Sequence, residues 1–300
     1  MKKIKLTLVE ILYGHRCNLS CSGCSSMSDH IKDYDQDPTI ESIFESIDNL
    51  SNTVIPGSID LMGGELFLYW DKIKQIVPRI REKFPTTIIA MTTNGMLLEK
   101  YQDEVIDLCK TYGPCVLEVT NHFTLFPQDT MTLNYKKKID TFIEKNKFVL
   151  DTPYIVEFKT AKDETFGNPE LSMEVNISNP LTFYPGYRTT NGQVKPFATN
   201  DPEGSYRNGC AMPICHMLVD SKLYKCSWLA FLPKLLSKYG QLDDPDWKKY
   251  LEYQPVDLSN PSEQALADFE ATRHSAVSVC DMCSNNAKHH IPHNKSTVLP

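Results

Sequence analysis

No stretch of this chain is long and apolar enough to span a bilayer. Its N-terminal apolar run is interrupted by Glu10 and lacks a small-residue cleavage site. The expectation is a cytoplasmic protein with no membrane partner. Excess positive charge is missing as well: the formal net charge is −7, which disfavours an extended phosphate-binding surface and makes nucleic acid a weak candidate partner. No internal repeat is present. With 41% hydrophobic and 23% charged residues over 300 positions, disorder is not expected, and the chain suits one large domain or one domain with a small appendage.

What the sequence does have is cysteine. Ten cysteines without a secretory signal point to metal or redox chemistry rather than a disulfide framework. Cys17, Cys21 and Cys24 follow directly on the apolar run Leu6 to Tyr13, so one short loop at a strand's end can aim three sulfurs at one point. Three thiolates are one ligand short of a closed zinc site or a fully ligated iron–sulfur cube, and an open coordination position is where a substrate or cofactor binds. A second group, Cys210, Cys215, Cys226, Cys280 and Cys283, lies far downstream. Cys109 and Cys115, one on a helix and one entering a strand, read as small buried hydrophobes.

Taken in order, Leu6 to Tyr13 predicts a strand and the cysteine loop runs to about Asp37, where Pro38 marks a helix start. Ile40, Ile43, Phe44, Ile47 and Leu50 then fall on one helical stripe. Further strands are expected at Ser58 to Met62, Thr87 to Thr92, Cys115 to Thr120 and Tyr154 to Lys159. Helices are expected at Trp70 to Phe84, with Pro78 bending or shortening it, at Leu98 to Tyr112, and at about Met131 to Lys145. This alternation argues for parallel βαβ units, an α/β sheet or barrel with its chemistry at the strands' C-terminal ends. The cysteine loop, Gly63-Gly64-Glu65 and Thr93-Asn94-Gly95 all follow strands and would meet on one rim.

From Lys162 to Asn208 the sequence is rich in Pro, Gly, Asn and Thr, and irregular structure covering the substrate is expected. A β-hairpin follows at His216 to Cys226, turning at Asp220-Ser221-Lys222, then helices at Leu229 to Tyr239 and Glu263 to His274. The tail carries His289, His290 and His293 and reads as mobile over 294–300.

On the Cys-x3-Cys-x2-Cys loop, the Gly-Gly-Glu and the Thr-Asn-Gly, the first 160 residues resemble the radical S-adenosylmethionine enzymes. The resemblance implies a partial (β/α)6 TIM-like barrel over 1–160, extended through 161–208. It implies that Cys17, Cys21 and Cys24 bind three irons of a 4Fe-4S cluster whose fourth iron is chelated by S-adenosylmethionine. Gly63, Gly64, Glu65, Thr93 and Asn94 would hold that cofactor, Glu65 at its amine. Two departures stand out: Gly23 occupies a position that is often aromatic, and Leu66 one that is often proline. The alternative for the triad is a structural or zinc-binding cysteine cluster, and for Asn94-Gly95 a turn that wants those residues for backbone reasons alone.

The downstream cysteines resemble the twitch, or shortened SPASM, extension, which implies a small hairpin-plus-helix domain over 209–293 carrying one auxiliary 4Fe-4S cluster. Which four of the five cysteines ligate it stays open; Cys226, Cys280 and Cys283 come first, with Cys210 and Cys215 competing for the fourth place. A zinc closure by four thiolates is the alternative. In the strands Cys115 to His122 and Tyr154 to Lys159, alternation sends Leu117, Val119, Val156 and Phe158 outward and Glu118, Thr120, His122, Glu157 and Lys159 inward, as candidates for substrate contact or proton handling.

The resemblance implies hydrogen abstraction from a polar small molecule, a sugar or a nucleotide-like group, with a flavodoxin or ferredoxin as electron donor. Peptide modification, nucleobase modification and a non-catalytic iron–sulfur protein are the alternatives. The first strand begins almost at Met1, which is not the expectation for peptide-modifying relatives that carry an N-terminal recognition domain.

Overall fold

A computed structural model describes residues 2–21, 23–31, 37–120, 137–138, 141–142, 156–159, 173–178, 182–183, 186–210, 214–286, 291–292 and 297–298. His122, most of the helix expected at Met131 to Lys145, Tyr154 and the three tail histidines lie outside the described residues.

Six parallel strands lie side by side at the centre. They are β1 (Ile4–Gly14), β2 (Val54–Gly63), β3 (Ile88–Thr93), β4 (Cys115–Thr120), β6 (Met173–Ser178) and β7 (Cys215–Val219), with β5 (Val156–Lys159), β8 (Lys222–Tyr224) and β9 (Val256–Asp257) completing the sheet. The order across it is β9-β8-β7-β1-β2-β3-β4-β6-β5. Among the described residues the sheet does not close into a barrel. It ends at β5, antiparallel to β6, on one side and in the antiparallel run β7-β8-β9 on the other.

Helices α1 (Ile40–Thr53), α2 (Trp70–Lys83) and α3 (Leu98–Tyr112) connect the first four sheet strands. Thr39 caps α1, its hydroxyl accepting the Ser42 N–H, and Ile43, Ile47 and Leu50 are buried against the sheet. Pro78 neither ends nor shortens α2. The helix continues because Ile73, Ile76, Val77 and Ile80 are fully buried, and that burial outweighs the lost backbone bond at the solvent side.

Two further corrections concern the middle of the chain. Residues 173–178, expected to be irregular, form β6 beside β4; Met173, Val175 and Ile177 alternate with Glu174, Asn176 and Ser178, a period of two that the polar residues disguise as loop composition. The strand ending at Lys159 is present but runs antiparallel at the edge, since periodicity gives a strand and not its direction.

The hairpin is also part of this sheet. Cys215 to Leu218 pair in parallel with Leu8 to Ile11 of β1, and the hairpin turns through Asp220 and Ser221, both at positive φ (47° and 59°). That is the conformation a two-residue hairpin turn requires. Ser221 holds it without glycine because its hydroxyl accepts from Asn49 and its N–H donates to Ser46.

Behind the hairpin, α4 (Ser227–Tyr239) packs Trp228, Leu232, Leu235 and Leu236 into a second core with Tyr187, Val194 and Trp247. α5 (Glu263–Thr272) adds Leu266 and Phe269 to the main one. From the segment expected to be a mobile tail, Thr297–Val298 pair antiparallel with Leu19–Ser20 in the cysteine loop.

Candidate metal and cofactor site

Because the six central strands are parallel, their C-terminal ends lie on one edge of the sheet, and the loop after each begins there. The sheet's period of two then divides the side chains. Val9, Ile11, Ile59, Leu61, Ile89, Met91, Leu117 and Val119 are fully buried in the main core. The alternate positions Glu10, Asp60, Thr92, Glu118 and Thr120 line a cavity of about 350 Å³ on the other face. At its upper end the same cavity is lined by Cys17, Cys21, Cys24, Gly63, Gly64, Glu65, Thr93 and Asn94.

The cysteine loop is fastened to the sheet's edge by a set of directional bonds. Gly64 N–H donates to Gly14 O and Glu65 N–H to Arg16 O, both at 2.9 Å. A Cβ on Gly64 would fall 2.0 Å from Arg16 O, so this close approach requires glycine. Asp37 closes the loop from below, accepting the His15 N–H at 2.8 Å and the Tyr69 hydroxyl, while Tyr69 Oη accepts from Arg16 N–H. His15 is buried with Nδ1 against Ser26 O, and burial pushes its pKa down to about 4, so it is a neutral support.

Glu65 is a hub for the strand ends. Its carboxylate accepts from Thr93 Oγ1 (2.6 Å), Asn94 N–H (2.9 Å) and Phe67 N–H (3.2 Å). Asn94 passes the connection on: its Nδ2 donates to Asn18 Oδ1 at 2.7 Å and lies 3.9 Å from Cys17 Sγ, and its Oδ1 accepts from Met96 N–H. A carboxylate offers about four acceptor directions, so three protein donors leave room for one more. Gly23 has φ +78°, a left-handed conformation that an aromatic residue resists, which gives the departure before Cys24 a backbone reason.

The thiols here are buried among one another, and their chemistry fits a cationic metal core. Burial pushes the Cys17 pKa up to about 12, with the nearby Cys24 and Glu65 adding to it, and raises Cys24 as well. Thiolates crowded in this way need a positive group between them. Leu19 N–H at 3.4 Å from Cys17 Sγ and Ser26 Oγ at 3.1 Å from Cys24 Sγ supply the outer hydrogen bonds that sulfur ligands use. Among the described residues, no group of three His, Cys, Asp or Glu side chains is placed to hold a single metal ion.

The downstream cysteines divide. Cys210, Cys226, Cys280 and Cys283 line one small pocket together with Lys225, Trp228 and Met282, whereas Cys215 lies in the front cavity, hydrogen-bonded to Glu10. Burial raises Cys226 to about 12 and raises Cys280 and Cys283 too, with Cys210 and Cys280 adding to the shift of both Cys226 and Cys283. Lys225 is buried beside them, its ammonium donating at 2.7 Å to Thr272 O and Arg273 O. The Cys280–Cys283 turn is held by Phe197 N–H on Met282 O and by Ser205 Oγ on Cys283 O.

Of the lumen candidates, Glu118 and Thr120 line the front cavity. Glu157 stands in register with Asn176, itself in register with Glu118, and Lys159 pairs with Glu174. His122 lies outside the described residues. Glu10 and Asp60 escaped sequence reasoning; the available signal was a lone carboxylate inside each of two apolar strands. Cys109 and Cys115 are buried in the core, as expected of small hydrophobes.

A family model described as a 4Fe-4S single cluster domain matches residues 8–151, which supports an iron–sulfur protein with a 4Fe-4S cluster. That span contains the front triad and stops before the downstream cysteines. A search of curated proteins finds no match. Among the described residues no helix is long and apolar enough to cross a membrane.

Proposed function

We propose that this chain is a radical S-adenosylmethionine enzyme with one auxiliary 4Fe-4S cluster, removing hydrogen from a polar small molecule. One observation carries the reading. A single cavity joins three thiols, one short of closing a cube, to the strand-end segments Gly63–Glu65 and Thr93–Asn94 and to a polar floor. The 4Fe-4S family match supports the cluster, and that family is found in radical S-adenosylmethionine enzymes.

Bound in this cavity, a cluster and S-adenosylmethionine would supply a 5′-deoxyadenosyl radical on one-electron reduction by a flavodoxin or ferredoxin. Cys17, Cys21 and Cys24 would ligate three irons. Glu65 would orient Thr93 and Asn94 and keep one acceptor direction for the methionyl ammonium, while Gly63 and Gly64 bring backbone close to it. Cys210, Cys226, Cys280 and Cys283 would ligate the second cluster within a module spanning 209–293, and Cys215, which faces the front cavity, would not. The wall Glu118 and Thr120 would meet the substrate.

The test is anaerobic reconstitution with iron and sulfide, then dithionite and S-adenosylmethionine. Expected are about eight irons per chain and release of 5′-deoxyadenosine. Cys21→Ala should remove about four irons and all cleavage, Cys226→Ala about four irons only. A fully loaded protein that releases no 5′-deoxyadenosine would overturn the enzyme reading, and a parent holding about four irons would remove the auxiliary cluster.

A further inference from the structure

The floor of the front cavity is a row of carboxyls, and no Lys, Arg or His stands among the described residues that line it. Glu10 and Asp60 are register partners on β1 and β2. Asp60 faces Ala90 on β3, and Glu118 lies one pleat further along on β4. Ala90, with only a methyl group, is the small residue between the Glu10–Asp60 pair and the strand of Glu118. Strands about 4.8 Å apart make this row roughly 14 Å wide. Glu10 and Asp60 sit about 10 Å below the level of Gly63, since three residues of strand separate Asp60 from it, whereas Glu118, in register with Thr92, stands nearer the strand ends.

Glu10 points to a ligand independently of this clustering. It is 7% exposed, lines the cavity, and its Oε2 is buried without a hydrogen-bond partner. The Cys215 thiol is beside it and lowers its pKa against the effect of burial. Asp60 is supported by Ser58 at 2.8 Å and Glu118 by Thr92 at 3.4 Å, both neutral hydroxyls. Among the described residues lining the cavity there is no Lys, Arg or His. Burial raises all three carboxyls, Glu10 to about 8 and Asp60 to about 6, and the neighbouring carboxyls add to the shift of Glu10 and Asp60. A neutral ligand could satisfy the lone pairs of such a group; a ligand bringing positive charge also favours its ionised form and pairs with it.

We propose that Glu10, Asp60 and Glu118 bind a protonated amine of a compact substrate, an inference that rests on this cavity being the catalytic site proposed above. The amine anchors the molecule on the floor and leaves its carbon framework facing the thiol-lined end. S-adenosylmethionine also carries positive charge, and depth separates the two at Glu10 and Asp60, which lie below the strand ends that would hold the cofactor; Glu118 reaches the amine from the side.

The experiment is anaerobic calorimetry on the two-cluster protein saturated with S-adenosylmethionine, using putrescine and glucosamine against the uncharged 1,4-butanediol and glucose. At least one amine should bind while its uncharged counterpart does not. Glu10→Gln and Asp60→Asn should each weaken that binding at least tenfold with the parent's iron content and S-adenosylmethionine affinity retained. Glu10→Gln copies the shape of the protonated carboxyl and should fold; Glu118→Gln provides a second variant.

The inference is overturned if neither amine binds, if amine and counterpart bind alike, if the variants bind the amine as the parent does, or if S-adenosylmethionine affinity falls with it. Binding heat does not depend on cleavage. A protein that binds the amine yet releases no 5′-deoxyadenosine therefore refutes the enzyme reading alone, and one that cleaves but ignores the amines refutes only this site.

Discussion

Glu10 lies between Val9 and Ile11, both buried in the main core, so the strand's alternation leaves its carboxyl only the cavity. There burial first, then Asp60, raises its pKa from 4.5 to about 8. The folded protein thus holds this proton more tightly than the unfolded chain, and folding stability falls as pH rises between about 4.5 and 8. The slope from one such group is at most about 1.4 kcal/mol per pH unit. Glu10→Gln removes it. Melting temperatures measured from pH 5 to pH 8 should therefore converge for parent and variant at the acid end, with the variant the more stable at the alkaline end. Curves that stay parallel would show that Glu10 ionises at an ordinary pH. The sequence displayed this residue only as an interruption of an apolar run; the neighbouring strand that gives it Asp60 as a partner is more than forty positions away.

At the scale of elements, Glu65 ties three strand ends together, and its geometry makes a sharp prediction. Oε1 accepts from Thr93 Oγ1 and Phe67 N–H, and Oε2 from Asn94 N–H. In Glu65→Gln the amide nitrogen must oppose either the Phe67 or the Asn94 N–H, since both are donors that cannot reverse. One buried backbone donor is left without a partner, at a cost of about 1–3 kcal/mol. Denaturant titration of the cluster-loaded protein should show that loss, and S-adenosylmethionine cleavage should fall with it as Thr93 and Asn94 lose their support. Unchanged stability would mean that the strand ends are held by packing alone.

The motif Gly-Gly-Glu was legible in the sequence as a candidate cofactor-binding segment at a strand's end. Its work within the protein was not, because Thr93, Asn94 and Arg16 reach Glu65 only through the fold. The same contrast runs through the other elements. α1, α3 and β4 were readable to within a few residues from period and caps, whereas β6 was hidden by polar alternate residues. Spacing could not separate Cys210 from Cys215, whereas the fold places Cys210 in the pocket of Cys226, Cys280 and Cys283 and Cys215 in the front cavity.

At the scale of the whole molecule, the downstream half is built into the sheet. β7 pairs along β1 from Leu8 to Ile11, so β1 is an internal strand whose one edge is supplied by residues more than two hundred positions later. Leu218, Leu223, Val256, Leu258, Leu266 and Phe269 belong to the same core as Val9 and Ile47. A chain ending at residue 208 would bare the β1 edge and remove those six apolar side chains. Burial is worth about 1.5–3 kcal/mol for each large apolar side chain, a loss comparable to the whole stability of an ordinary domain. Such an edge also invites pairing with other chains. The truncated protein is therefore expected to aggregate and to take up no defined complement of iron. Recovery of a soluble, monomeric 1–208 fragment with about four irons would instead make the downstream half a separable appendage. The front thiol loop begins where β1 ends. Its position thus depends on the strand that the back half completes, and the two thiol groups share one scaffold, whatever electrons pass between them.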